Sequence, residues 1–292
     1  MMTIGFIGAG ITGTALAVRL HQQGYPIVAV SSRTIASAER LAQKIAGCHA
    51  YKTSQEVAHQ AQLVFITTPD DIIGEVASRV RWYKGQSIVH CSGAHSADIL
   101  ETAGKLGTNT GGFHPLQTFA SVENAIENLP GSTFAIEARE PLLTILKKMA
   151  VAMSCNWVIL TADDKVLYHT AAVFACNYLV TLVKLATDLW QDFEVPREKA
   201  VQALLPLLRG TLSNIENIGL PNCLTGPIAR GDLGTIRKHL EALEKAKPEL
   251  VNTYKQLGLQ TIPTALDKGK LDPEKARELQ ALLAKQLQGV LP

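Results

Sequence analysis

The sequence predicts an α/β protein: a doubly wound, mainly parallel sheet over residues 1–160, followed by an all-α domain over 161–292. Three observations lead there. An apolar strand at residues 3–7 runs into Gly8-x-Gly10-x-x-Gly13 and a helix of small residues. Strand-like and helix-like runs then alternate to about residue 160, and beyond residue 163 no strand-like run returns. The opening stretch is the dinucleotide fingerprint. Gly8 makes the tight turn, Gly10 lets the backbone approach a pyrophosphate, and Gly13 lets the helix pack closely on its strand. Free amides at the helix start, around Ile11 and Thr12, favour negative charge. The alternative is an ordinary strand-to-helix turn.

The totals fit a two-domain soluble protein. The chain has 292 residues, 47% hydrophobic and 18% charged, with a formal charge of +2. No basic stripe points to nucleic acid. The longest apolar stretches are interrupted by polar residues and the opening lacks signal-peptide features, so the expectation is a cytoplasmic protein without membrane attachment. The cysteines (Cys48, Cys91, Cys155, Cys176 and Cys223) are odd in number and scattered. They suggest free thiols, with neither a disulfide framework nor a metal site.

In order, residues 15–23 continue the first helix, Gly24 ends it, and residues 26–30 form the second strand. At that strand's tip an NAD site places an acidic residue on the ribose. Here stand Ser31, Ser32 and Arg33, two hydroxyls and a guanidinium that suit a 2′-phosphate, so the expected cofactor is NADP(H). The same residues also suit the start of a helix over 35–46. Strands follow at 49–51 and 63–67. The turn Thr67-Thr68-Pro69-Asp70-Asp71 places Thr67 and Pro69 beside the cofactor, or supplies Asp70 or Asp71 as a helix cap. A strand at 87–91 ends in Ser92-Gly93, small residues that leave room for nicotinamide or substrate and equally make a turn. Residues 110–113 lead into His114-Pro115, which holds the imidazole at a strand-to-loop edge as a substrate contact or a structural residue. Two more strands, at 132–136 and 156–160, flank a helix over 140–153.

The helical half opens with a thirty-residue run, 163–192, that is apolar nearly all round and is expected to be buried in a bundle or under a second subunit. Its polar exceptions Lys165, His169 and Asn177 fall in one sector of a helix. Such a stripe needs partners, either structural ones or a ligand. Helices follow over 197–209, where Pro206 is expected to kink or split the run, and over 211–218. Leu224-Thr225-Gly226-Pro227-Ile228-Ala229-Arg230-Gly231-Asp232 is the second concentrated signal. Thr225, Arg230 and Asp232 offer a hydroxyl, a cation and an anion for an acidic substrate. Alternatively Asp232 caps the next helix and Arg230 pairs with it. A last helix spans 272–286, with Gly289 after its close.

With these motifs in hand, the chain resembles a family of bacterial proteins that join a Rossmann-like domain to a C-terminal helical domain of unassigned function. The resemblance rests on the glycine fingerprint, Ser92-Gly93, His114-Pro115-Leu116-Gln117-Thr118-Phe119, the run from Tyr168-His169 to Asn177-Tyr178-Leu179, and the 224–232 motif. That family is similar to the superfamily of β-hydroxyacid dehydrogenases, pyrroline-5-carboxylate reductase and ketopantoate reductases. The resemblance implies a helical domain like that of 6-phosphogluconate dehydrogenase and, for some members, ketopantoate reduction. The β-hydroxyacid dehydrogenase pattern has a catalytic Lys four residues before an Asn; here Lys165 is followed at that spacing by His169, and Asn177 comes later.

The reading is an NADPH-dependent reductase of a small carboxylate-bearing keto or imine compound. His169 is the expected general acid, Lys165 the reserve, Asn177 a donor to the reacting atom, and Arg230 the partner of the carboxylate. The rival is a non-catalytic NADP(H) sensor on a dehydrogenase fold. A homodimer is expected, to cover the long apolar helix.

Overall fold

The computed structural model of the chain describes residues 2–285 and divides into two compact units, one running to Tyr178 and one starting at Leu179. The first is built on one sheet of β1 (Ile4–Ile7), β2 (Ile27–Ser31), β3 (His49–Tyr51), β4 (Leu63–Ile66), β5 (Ser87–His90), β6 (Asn109–Leu116), β7 (Thr133–Ala138) and β8 (Asn156–Ile159). Their spatial order is β3-β2-β1-β4-β5-β6-β7-β8. All neighbours are parallel except β6 and β7. The chain order reverses between β1 and β4, and there the connections leave to opposite faces and open a crevice at the strands' carboxyl ends. The predicted doubly wound, mainly parallel sheet with helices after it is the observed fold.

β1, β4 and β5 are buried along their whole length, as strands covered on both faces must be. Across one face runs a row of aromatic rings. Phe6 of β1 stacks on Phe65 of β4 at 5.1 Å, Phe65 meets Phe113 of β6 at 6.1 Å, and Phe113 stacks on Phe134 of β7 at 4.0 Å. Residues on helices Ile11–Gln22 and Leu142–Ala152 close over this face. β6 runs on through Pro115, past the predicted end at residue 113. β5 pairs with it only as far as Gly112, so the missing Pro115 amide faces no neighbour on that side.

The second unit is helical: most of Asn177–Gln191, then Arg197–Ile218, Pro227–Arg230, Leu233–Ala246, Pro248–Asp267 and Pro273–Ala284. Its core brings together Ile236, Leu240, Val251, Ile262, Leu279 and Leu283. Asp272 caps Pro273–Ala284 through the amides of Glu274 and Lys275. The expected helix end at Gln286 and the following Gly289 lie outside the described residues.

Several expectations need correction. The apolar run is two helices, Asp164–Ala175 and Asn177–Gln191, parted at Cys176. It is not buried within this chain: Val166, Leu167, Phe174 and Val180 are all about two-thirds or more exposed. The helix containing Lys165 and His169 belongs to the sheet unit rather than the helical one, because those side chains reach the loop after β5. Arg197–Ile218 continues through Pro206 without splitting. The helix expected over 35–46 stops at Ala42.

Phe113 is fully buried and anchors two of the ring contacts. Phe113→Ala is expected to destabilise the sheet unit by about 3–5 kcal/mol, measured as a shift in its urea-unfolding midpoint.

Candidate functional site

The glycine loop has the geometry its spacing requires. Gly8 stands at φ +114°, and a Cβ there would lie 2.6 Å from the Thr67 carbonyl carbon. A Cβ on Gly13 would run into the Thr67 side chain and come within 2.5 Å of the Gly8 oxygen. Thr67 Oγ1 donates to that same oxygen at 2.7 Å, tying the loop after β4 to the glycine turn. Gly10 faces open space. Helix Ile11–Gln22 begins with no side-chain cap and no acidic residue in its first turn, so the amides around Ile11 and Thr12 are left for an anion.

A cavity of about 740 Å³ opens on this loop, lined by Gly8, Gly10, Ser31, Ser32, Arg33, Thr67 and Pro69 among others. Seven of the twelve expected cofactor residues line it through the meeting of β2, β1 and β4; Ile11, Thr12 and Gly13 follow in the helix. Ser31 is only 3% exposed, and its hydroxyl has no partner; the Thr68 hydroxyl is likewise buried and unpaired. Buried hydroxyls without partners in a polar cleft fit a ligand with oxygens to offer. Arg33 is exposed at the rim. Beside it Thr34 Oγ1 meets Ser37 Oγ at 2.7 Å, and Arg40 donates to Ser37 Oγ at 2.8 Å. The donor set fits a dinucleotide with an added phosphate. Lys52, also in the cavity wall, was not expected. The signal for it is strand order: β3 lies beside β2, so the residue after β3 falls next to those after β2. A second cavity, about 780 Å³, is bounded by Asp98, Glu101 and Glu137, and none of the expected site residues lines it.

A second cluster gathers at the carboxyl ends of β5 and β6. Ser92 is saturated: its amide donates to His90 Nδ1 at 3.1 Å, and its hydroxyl donates to Asp70 Oδ2 at 2.7 Å and accepts from the His95 amide. Its carbonyl accepts from Lys165 Nζ at 3.0 Å. The Ser92 side chain is thus committed to the fold. Asp70 does not cap its helix, since the cap position is Pro69; its carboxylate holds Ser92 instead. Lys165 is 1% exposed and sits near Glu137, Cys91 and Asp70. Burial pushes its pKa down, while those groups resist the shift.

Next to Ser92, a Cβ on Gly93 would lie 2.7 Å from His169 Nδ1 and 2.8 Å from His114 Nε2. Only glycine lets both imidazoles rest there. His114 Nδ1 meets the Tyr168 hydroxyl at 2.8 Å, whereas His169 Nδ1 is buried without a partner. Burial, reinforced by the Lys165 ammonium, pushes His90 and His114 down to about 4. Burial alone pushes the Tyr168 phenol up to about 12. Tyr168 was not singled out as a site residue; its signal was adjacency to His169 in a run that the helix brings to one end of the sheet. Of the predicted stripe, Lys165 and His169 lie on helix Asp164–Ala175, while Asn177 opens the next helix, past the break at Cys176, and is exposed.

In the second unit, Gly226 (φ +99°) and Gly231 (φ +68°) bracket the turn Pro227–Arg230. Lys268 Nζ donates to the carbonyls of Asn222 and Leu224 at 2.8 and 2.6 Å, fixing the approach to this loop. Asp232 caps helix Leu233–Ala246, accepting from Thr235 N at 3.0 Å and Thr235 Oγ1 at 2.7 Å. The alternative pairing of Arg230 with Asp232 is not formed. Arg230 and Thr225 are exposed, and among the described residues Arg230 makes no ion pair.

Residues 1–115 match a Rossmann-like domain, and residues 132–261 match DUF2520, a domain of unknown function. No curated protein matches the chain. Among solved structures it is similar to a Bacteroides fragilis protein described as a candidate NADP oxidoreductase, at 28% identity, over 90% of this chain and 98% of that one, with a TM-score of 0.71. It is similar also to a Thermotoga maritima protein at 27% identity, over 91% and 99% of the two chains, with a TM-score of 0.74. An Aspergillus terreus reductive aminase, solved with NADPH and ethyl-5-oxohexanoate, shares the fold at 16% identity, over 97% and 92%, with a TM-score of 0.62.

The neutral histidines set a pH response. Free His titrates near 6.5 (about), so the folded protein binds fewer protons than the unfolded chain between that value and the depressed value of about 4. Stability from His90 and His114 is therefore complete above the unfolded pKa and is lost as pH falls through this window. Glu137, pushed up by burial, acts in the opposite sense as a single group. The denaturation midpoint is expected to fall from neutral pH to about pH 5, and the His90 and His114 ring signals in NMR are expected to remain those of neutral imidazole there.

Proposed function

We propose that this protein is an NADPH-dependent reductase of a small carboxylate-bearing carbonyl or imine compound. The observation that carries the reading is the buried, unpartnered Ser31 hydroxyl in a cavity rimmed by Arg33, on the same sheet edge as the His114 and His169 imidazoles. NADPH supplies the hydride when bound. Gly8, Gly10 and the first amides of helix Ile11–Gln22 receive the pyrophosphate; Ser31, Ser32 and Arg33 receive the 2′-phosphate. The description of the Bacteroides fragilis relative supports the cofactor class. His169 is the general acid. Its Nδ1 is closed off without a partner, which leaves Nε2 as the nitrogen to give a proton to the reduced oxygen or nitrogen. Lys165, sealed against the Ser92 carbonyl, orders the loop rather than meeting substrate. On the second unit, the exposed Arg230 guanidinium and Thr225 hydroxyl are groups suited to a carboxylate.

The test is NADPH oxidation against 2-keto acids, ketopantoate and cyclic imines. Turnover of one class is expected, with His169→Ala lowering kcat about 100-fold at unchanged NADPH affinity. In titrations NADPH is expected to bind more tightly than NADH, and Arg33→Ala to erase about tenfold of that preference. Binding without turnover favours a nucleotide sensor; equal binding of both nucleotides removes the phosphate assignment.

We propose further that the protein is a homodimer. Helices Asp164–Ala175, Asn177–Gln191 and Arg197–Ile218 expose the large apolar side chains of Leu167, Phe174, Val180, Leu207 and Leu212, which a second copy would cover. The 164–191 stretch contains an 18-residue window of mean hydropathy 1.6 and is long and apolar enough to cross a membrane. Lys165, bound into the sheet unit, argues against that placement, and a second copy is the occupant that fits. Light scattering is expected to give twice the chain mass without detergent; sedimentation with lipid vesicles would favour a membrane.

A further inference from the structure

A phosphate monoester carries about one and a half to two negative charges at neutral pH, and Arg33, exposed at the cavity rim, answers only one of them. The next cation comes from the neighbouring strand. β2 and β3 run in parallel with Ser31 opposite Tyr51, the last residue of each, so the chain leaves the two strands side by side at Ser32 and Lys52. Adjacent strands lie about 4.8 Å apart, and Ser32, Arg33 and Lys52 all line the same cavity.

The backbone next to Lys52 is fixed, while its ammonium has no committed anion. Thr53, the residue after it, closes a capping box on helix Ser54–Gln60: its amide and hydroxyl donate to Glu56 Oε2 at 2.8 and 2.7 Å, and the Glu56 amide donates back to Thr53 Oγ1 at 3.2 Å. The bonds from Thr53 hold the Glu56 carboxyl below its usual range. Lys52 is in electrostatic reach of Glu56, yet among the described residues it forms no ion pair. Among the described residues lining the cavity, the one carboxylate is Glu75, and it pairs with Arg79 at 2.6 Å. Two further features of the wall favour an anion. Helix Ile35–Ala42 begins beside Arg33 with no side-chain cap and no acidic residue in its first turn, and the Ser31 hydroxyl, in a residue only 3% exposed, has no partner.

We infer that Lys52 is a second cation for the 2′-phosphate, so that preference for NADPH is divided between the end of β2 and the end of β3. The inference rests on the NADPH reading of this cavity. The two cations act differently. Arg33 presents a planar fork of donors that sets the direction of the phosphate, whereas Lys52 brings a point charge on a flexible stem that follows it. The ammonium has a charge to meet only when the phosphate is present, because the 2′-hydroxyl of NADH is neutral. Lys52 is therefore a specificity residue: it separates two nucleotides and takes no part in the hydride or proton transfer.

Nucleotide titrations of the full chain test it. Lys52→Ala is expected to raise the Kd for NADPH about tenfold while the Kd for NADH stays within about twofold, and Lys52→Arg, which keeps the charge, to hold NADPH within about threefold of wild type. The NADPH preference of the wild type is expected to shrink as salt rises, and that of Lys52→Ala to shrink less steeply, since one exposed charge pair has gone. An unchanged Kd for NADPH in Lys52→Ala, or an equal loss of affinity for NADPH and NADH, overturns the role of Lys52. In that case a preference that still falls with Arg33→Ala leaves the NADPH reading standing. If the wild type binds both nucleotides equally or neither, that reading fails and the inference falls with it.

Discussion

An ammonium group with almost no access to water survives only where oxygens surround it, and the order of this site follows from how Lys165 meets that requirement. Its Nζ lies 3.0 Å from the Ser92 carbonyl, with the Glu137 and Asp70 carboxylates in electrostatic reach. Removing one side of such an arrangement leaves a buried charge uncompensated, at a cost of about 3–5 kcal/mol. The contact fastens helix Asp164–Ala175 to the loop after β5, a link of 73 residues in sequence. Once Lys165 is placed, Tyr168 and His169, one helical turn along, come onto His114 and Gly93. The same ammonium weights His90 and His114 toward their neutral forms. One interaction thus sets position and protonation together.

The fold and the nucleotide cradle were legible because each leaves a local mark. Gly8, Gly10 and Gly13 encode a turn and two close approaches, and β1, β4 and β5 are the unbroken apolar runs that a doubly covered sheet demands. Ser31, Ser32 and Arg33 could be read as neighbours of that cradle because one strand separates them from it. Lys52 could not, since only strand order brings the end of β3 to the end of β2. The second cluster was half visible. Lys165 and His169 stood out as polar residues in an apolar run, but helical periodicity could not show that the run breaks at Cys176, just before Asn177. Nor could it show that Asp70 answers Ser92 across 22 residues rather than capping its own helix.

Burial also separates structural polarity from polarity left for a ligand, a distinction composition alone does not make. Ser92 and Asp232 have the residue types of a binding site, yet their side chains are fully engaged, one with Asp70 and the His95 amide, the other as a helix cap. Ser31 and Thr68 have similar chemistry and no partner. A protein retains an unpaired buried hydroxyl at a cost of about 1–3 kcal/mol, and a ligand oxygen would remove that penalty.

The same accounting bears on an acidic substrate. A carboxylate needs a cation or several donors, and the sheet unit's cluster at β5 and β6 offers little positive charge to it: Lys165 is sealed, and His90 and His114 are held neutral. Arg33 lies at the other end of the cradle, with the hydroxyls of Ser31, Thr34 and Ser37. What the cluster does offer is neutral donors, which suit an oxygen or nitrogen that becomes basic only during reduction. Within the second unit, Arg230 is an exposed cation suited to a carboxylate, on a loop braced by Lys268, and its guanidinium forms no ion pair among the described residues. The reduced bond and the carboxylate are thus claims on different residues, and either can stand without the other.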